Sequence, residues 1–211
     1  MKNEENKLDI YQIVWLFFLG CLIGYFIETF FYIIKYGYYV NKQGLIFGPF
    51  KPIYGTGAVL VVYFFQKLRR KKVLDTFFMG VIVGTIFEYL CSFLLEVIFK
   101  SYFWDYSSFK YNLNGRIYLP YCIIWGVIAL ILIYGVYPQF LKIYNFLKKQ
   151  KYFNIFTKII GMFFIINLVL TGVVLLRQGY RENDNPVFKV IDNYYPEEKI
   201  QEKFPKFRPI K

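Results

Sequence analysis

Residues 17–28 read "FFLGCLIGYFIE" and residues 77–88 read "FFMGVIVGTIFE". Both follow F-F-x-G-x-x-x-G-x-x-x-E, at a constant offset of 60. Each is apolar enough for the inside of a membrane helix, yet each ends on a glutamate. A second block recurs downstream. "GLIFGPF" at 44–50 aligns with "GRIYLPY" at 115–121, and "IYG" at 53–55 with "IWG" at 124–126, both at an offset of 71. The growth from 60 to 71 is an insertion of 11 residues in the second intervening loop. Shared order over two blocks predicts an internal duplication, a common transporter design. Each unit carries two apolar runs, so the copies share one orientation and form a parallel repeat.

Composition agrees with a membrane setting. The 211 residues are 57% apolar and 23% aromatic, against roughly 45–50% apolar in soluble domains. Five runs are candidate spans: 11–34, 48–66, 75–99, 119–141 and 155–176. A spanning helix needs about 20 residues. The second run reaches that length only by including "GPFKP", so its first turn is expected to be irregular or re-entrant. Such backbone persists at depth only where protein or water satisfies it. The first run is too long for a cleaved signal peptide, contains Glu28 and is followed by no small-residue cleavage site. The expected fold is an all-α membrane protein of five helices. Helices one and two form one repeat unit (about 11–66), helices three and four the other (about 75–141), and a fifth helix follows. The transmembrane domain covers 1–177 and a polar tail covers 178–211.

The net charge of +12 is spread between apolar runs, not gathered on one basic face, so no nucleic-acid partner is expected. Segments 1–10, 67–75 and 142–158 together carry twelve Lys and Arg: Lys2, Lys7, Lys67, Arg69, Arg70, Lys71, Lys72, Lys142, Lys148, Lys149, Lys151 and Lys158. Segments 35–51 and 100–118 carry six. The positive-inside rule therefore places the first set, and the N-terminus, in the cytoplasm. The tail then lies outside. Its mixed charge and Pro186, Pro196, Pro205 and Pro209 read as a loosely ordered extension.

Cys21, Cys91 and Cys122 all fall in apolar runs, and the chain has no histidine. They read as packing residues; no metal site or disulfide framework is expected. No G-x-x-x-x-G-K-[ST] occurs, so any ATP hydrolysis would belong to another chain. No cofactor is expected, and H-E-x-x-H and G-x-S-x-G are also missing.

The polar residues inside the runs are the candidate site. Gly20 and Gly24 precede Glu28; Gly80 and Gly84 precede Glu88, followed by Ser92 and Glu96 at four-residue steps. The glycines let helices approach closely. An ionisable group within a membrane costs about 2.5–3.5 kcal/mol on insertion scales and usually faces an interior path. A headgroup-level position or a structural ion pair are the competing roles. Arg116, in "NLNGRIYLPY" (112–121), is the natural counter-charge for Glu28 and Glu96, with Glu88 about 12 Å deeper than Glu96. Asn112 and Asn114 precede it, Gly115 permits a sharp turn, and Asp105 lies in "WDY" (104–106), an interfacial anchor. Pro49 and Pro120 are expected to start equivalent helices, with Gly55 six residues further on in the first.

"GPFKPIYGTGA" (48–58), "GTIFEYLCSFLLE" (84–96), "WDYS" (104–107), "NLNGRIYLPY" and "WG" (125–126) together resemble the bacterial ABC-transporter permease family of the CmpB type, over roughly 12–140. The resemblance implies a polytopic bacterial plasma-membrane protein and an ATP-binding subunit in trans. It also marks Pro49, Gly55, Glu88, Glu96, Trp104, Asp105, Asn112, Asn114, Gly115, Arg116 and Pro120. The resulting expectation is a permease-like component in contact with membrane lipid, completed by a homodimer where two repeats do not suffice. Glu28 and Glu88 would flank its path. The basic loops 67–75 and 142–158 would be docking sites for the ATPase. Two rival readings are an intramembrane enzyme acting on a lipid headgroup through Glu96, Asp105 and Arg116, and a non-catalytic membrane partner or sensor whose tail reads the envelope.

Overall fold

The computed structural model describes residues 8–68, 72–180, 186–205 and 207–209. Lys2, Lys7, Arg69, Arg70 and Lys71 of the basic set lie outside them. The architecture is mainly helical. Helix α1 (Ile10–Tyr36) begins at Asp9, whose carboxylate accepts the Gln12 N–H while the Gln12 side chain accepts the Asp9 N–H. This reciprocal cap satisfies two otherwise unpaired donors. Gly37, at φ +76, ends the helix in the left-handed conformation and donates to the Ile33 carbonyl, as helix C-termini favour. Helices α2 (Pro52–Lys67) and α3 (Val73–Phe99) follow. Helix α4 (Leu119–Leu130) runs through a π-helical stretch (Ile131–Val136) into α5 (Tyr137–Leu147). Pro138 lacks an N–H, and its ring would clash with the preceding turn of a regular α-helix; the wider turn just before it absorbs the defect.

Among the described residues, four helices are long and apolar enough to cross a membrane: α1, α3, the continuous Leu119–Leu147 helix, and α6 (Phe153–Gly179). The expected second span is shorter. At 16 residues, α2 is about 24 Å long. It opens at Pro52, three residues beyond Pro49, which lies in the loop; Pro120 does sit in the first turn of α4. Large apolar side chains on α1, α3 and α6, such as Phe30, Ile82 and Ile165, point outward and exposed. A water-soluble chain would hide such a belt; a lipid-facing bundle displays it.

Packing fixes the directions. Helix α3 runs antiparallel to α4–α5, with Glu88 beside Trp125 and Thr76 beside Tyr134. Helix α1 runs antiparallel to α2, and α6 starts beside Trp15 and ends against Phe99. A core of Leu16, Val61, Val62, Met79, Ala129, Ile133, Phe140 and Phe153 ties all of these helices together at one end.

At the other end lie the loops and the tail. The Lys51 N–H donates to the carbonyl of Cys21 at 3.0 Å, and Cys21 is near the middle of the 27-residue α1. The irregular stretch 44–51 therefore dips about halfway down the bundle before α2 begins. Its backbone groups find partners on α6. Thr171 Oγ accepts the Ile46 N–H at 3.1 Å, and Asn167 both accepts the Phe47 N–H at 3.2 Å and donates to its carbonyl at 2.8 Å. Asn167 is 1% exposed and Thr171 4%. This is the satisfaction that irregular backbone requires at depth.

The described residues of the tail are more ordered than its composition implied. Helices α7 (Pro186–Tyr194) and α8 (Glu197–Lys203) form, and strand β4 (Arg208–Pro209) pairs antiparallel with β1 (Ser101–Tyr102). Ile200, Phe204 and Phe207 bury themselves against Ile46, Val174 and Leu175. Spaced apolar residues in a proline-rich, charged segment are easily overlooked, yet three of them suffice to cap the end of α6. Arg177 grips Asp192 at 2.8 Å, fixing α7.

Candidate functional site

A cleft of about 870 Å³ lies between the α1–α2 pair and α4. Loop residues Trp104, Asp105 and Tyr106 cover one end; Leu16, Val61, Leu132 and Phe140 form the other. Glu28 and Glu88 both line it, and Glu88 is its one contribution from α3.

The glycines explain how the carboxylates are presented. A Cβ on Gly24 would lie 2.2 Å from Tyr54 Cγ, and one on Gly84 2.4 Å from Trp125 Cγ. The two aromatic side chains thus pack directly onto bare helix backbone. From there Tyr54 donates its hydroxyl to Glu28 Oε1 at 2.9 Å, and Trp125 donates Nε1–H to Glu88 Oε2 at 2.9 Å. One turn earlier, Gly20 meets Gly55 Cα and Gly80 meets Gly126 Cα. Close approach of small residues is what substitutes for hydrophobic driving force in lipid.

Beyond these shared contacts the two carboxylates differ. Glu28 forms an ion pair with Lys51. Glu88, only 6% exposed, accepts a second hydrogen bond from the Tyr106 hydroxyl at 3.2 Å. Tyr106 belongs to the loop, and burial followed by the Glu88 charge pushes its phenol well above the ordinary value. It therefore stays protonated, as a donor.

Arg116, expected as a counter-charge for both Glu28 and Glu96, pairs with Glu96, whereas Glu28 pairs with Lys51. The Arg116 guanidinium also lies over Tyr89 and Phe93, at 5.7 and 5.4 Å from the ring centroids. Neither Glu96 nor Arg116 lines the cleft, whereas Asp105 does. The remaining loop residues serve the loop. Asp105 accepts from the Ser107 N–H and hydroxyl, at 2.8 and 3.0 Å. Asn112 donates to the Phe109 carbonyl and accepts the Gly115 N–H; Trp104 Nε1 donates to the Arg116 carbonyl. Asn114, at φ +54, and Gly115, at φ +67, make the turn between β2 (Asn112–Leu113) and β3 (Ile117–Tyr118). Asn114 reaches Tyr89 on α3 at 3.0 Å. Glu96, Asp105 and Arg116, the trio an enzyme reading would need, are thus divided between two places. Among the described residues no group of three or more metal-ligating side chains occurs.

A family described as "Putative ABC-transporter type IV" matches residues 15–172, about three quarters of the chain. The chain belongs to that family. No match was found among curated proteins or among solved structures. The family and the four long apolar helices make this a multi-pass membrane protein of the ABC-transporter type. The family's span takes in the whole cleft and ends before the tail.

Lys51, Tyr54, Tyr106 and Trp125 complete the site and were not singled out from the sequence. Tyr54 and Trp125 carried a usable signal, since the 71-residue offset already aligned them as the middle residues of "IYG" and "IWG". Asn167 and Thr171, polar and four apart in the most apolar helix, were the sign of a buried polar contact on α6. Nothing in the sequence said that the contact would be to the backbone at 46–47.

Proposed function

We propose that the chain is the membrane-embedded, permease-like component of a bacterial transporter, with ATP hydrolysis supplied by a separate subunit. The observation that carries this reading is that two membrane-depth carboxylates from different helices line one cleft. An internal polar site in an apolar bundle is how transporters hold a substrate near the midplane. The parallel duplication, α1–α2 matched with α3–α4, is part of the proposal. It is supported by contact pairs that repeat at the sequence offsets: Gly20–Gly55 with Gly80–Gly126, and Glu28–Tyr54 with Glu88–Trp125. Five passes are counted by letting 44–51 and α2 together cross once and α6 close the set.

The basic loops then face the cytoplasm of a bacterial plasma membrane, and loops 37–51, 100–118 and the tail face outward. The tail's contacts support this arrangement: Lys203 donates to the Ile46 carbonyl at 3.2 Å, and β4 pairs with β1. The open side of the cleft admits membrane lipid or a second copy of the chain. The loops around Lys67–Asp75 and Lys142–Lys158 are the docking sites for the ATPase. The test is purification of the chain from its native membranes, followed by an ATPase assay. The reading expects an ATP-binding subunit whose hydrolysis changes with Glu88→Gln. A chain that purifies alone, with no hydrolysis in its fractions, would sink it.

A further inference from the structure

We infer that Glu88 seats the head of an organic cation, an alkylammonium compound whose chain lies along the apolar wall of the cleft. The inference rests on reading the cleft as the transporter's internal path. Glu28 and Glu88 share an aromatic donor at equivalent positions, yet only Glu28 has a cation of its own, Lys51. At the offset of 71, the residue matching Lys51 is Cys122. Among the described residues, Glu88 is bonded by neutral donors and belongs to no ion pair. A carboxylate at this depth, 6% exposed and facing a cavity, favours a partner of positive charge.

The chemistry of the walls selects the kind of cation. Tyr54, Tyr106, Tyr121 and Trp125 line the cleft around Glu88, and aromatic faces attract ammonium groups most strongly where water is excluded. A small metal ion would need several oxygen ligands, and no group of three or more His, Cys, Asp or Glu that could hold one occurs among the described residues. An ammonium needs no such shell. Beyond Trp125, the wall continues through Ile128, Leu132 and Val136, about 16 Å along the helix, long enough for an alkyl chain. The volume of about 870 Å³ falls within the range of small-molecule sites.

The experiment is calorimetric titration of the purified chain in nonionic micelles with hexyltrimethylammonium. Tetramethylammonium (head alone), hexanol (chain alone) and empty micelles are the comparators. Saturable binding is expected for hexyltrimethylammonium, at least about ten-fold tighter than for either fragment, as a desolvated cation–aromatic–carboxylate site provides. Glu88→Gln should weaken it at least about ten-fold, Glu88→Asp by less, and Glu96→Gln, outside the cleft, by under about two-fold. Equal binding by hexanol, or affinity unchanged in Glu88→Gln, would overturn the inference. Should Glu88→Gln fail to fold, the Glu88→Asp loss and the fragment comparison decide. Flux in proteoliposomes separates the two readings. Binding at Glu88 without flux keeps this site and removes permeation. Flux of a solute indifferent to Glu88→Gln does the reverse.

Discussion

Gly84→Ala tests whether the carboxylate site depends on backbone-level contact between helices α3 and α4. The added methyl would sit 2.4 Å from Trp125 Cγ and 2.6 Å from its Cβ and Cδ2. Ordinary carbon contacts lie near 3.5–4.0 Å, so the indole or the helix must retreat by about 1 Å or more. Overpacking of this kind costs about 1–3 kcal/mol. The retreat also pulls Trp125 Nε1 from Glu88 Oε2, now 2.9 Å away. Interhelical hydrogen bonds in membranes average about 0.6 kcal/mol and reach about 1.7. A loss of about 2–5 kcal/mol follows from the two terms together. Gly172 is the internal control, because nothing lies within 4 Å of its added Cβ. There, alanine gains up to about 1 kcal/mol of helix propensity. Reversible unfolding in mixed micelles titrated with sodium dodecyl sulfate, followed by far-ultraviolet circular dichroism, measures both. If Gly84→Ala unfolds at the same detergent fraction as Gly172→Ala, the close packing of Trp125 is not what holds α3 to α4, and the geometry around Glu88 loses its support.

Three further outcomes follow. Lys51→Met or Glu28→Gln alone should destabilise by up to about 3–5 kcal/mol, because each breaks a largely buried ion pair, while the double variant recovers most of it; a double-mutant cycle in the same detergent titration measures the coupling, and strictly additive losses would contradict a direct pair. Asn167→Leu removes both partners of Phe47's backbone and should cost about 1–3 kcal/mol per orphaned group; faster hydrogen exchange at 46–47 is the readout, and unchanged protection would mean that α6 does not hold the inserted stretch. Asp9 sits outside the spans, and although burial works to raise it, bonds from the Gln12 N–H, Tyr144 and Lys148 hold it below its ordinary 3.8. A depressed carboxylate stabilises above its unfolded value, and that contribution fades as pH falls through the folded one. Wild type should therefore exceed Asp9→Asn in stability at neutral pH, with the gap closing as pH drops below about 4; a gap that widens in acid would reverse the assignment.

The long helices were legible because their signal is local. Runs of apolar residues over 20 positions leave few alternatives in any solvent, and α1, α3, α4–α5 and α6 sit where the runs do. The glycine–glutamate pattern was legible for a related reason. Residues four apart share a helix face, so Gly20, Gly24 and Glu28 had to form one ridge whatever they touched. The choice of partner was not legible. Arg116 and Lys51 are both cations just before a helix, and sequence spacing gives no ground for assigning Glu96 to one and Glu28 to the other. That assignment depends on how far the chain re-enters before its next helix begins. Segment 44–51 descends to the level of Cys21 and brings Lys51 down to Glu28. The 100–118 loop instead carries the β2–β3 hairpin and leaves Arg116 beside Glu96. The descent in turn depends on Asn167 and Thr171, 120 and 125 residues away in the chain. An apolar helix with two buried polar groups is stable only if something polar meets them, and an irregular loop at depth is stable only if something satisfies its backbone. Each is the other's solution, and a match between two such distant needs is not visible until the chain is folded. The same reasoning separates the two glutamates. One had its cation delivered by the re-entrant loop. The other is reached by Tyr106 from the longer loop, and so is held by hydrogen bonds while facing the cleft.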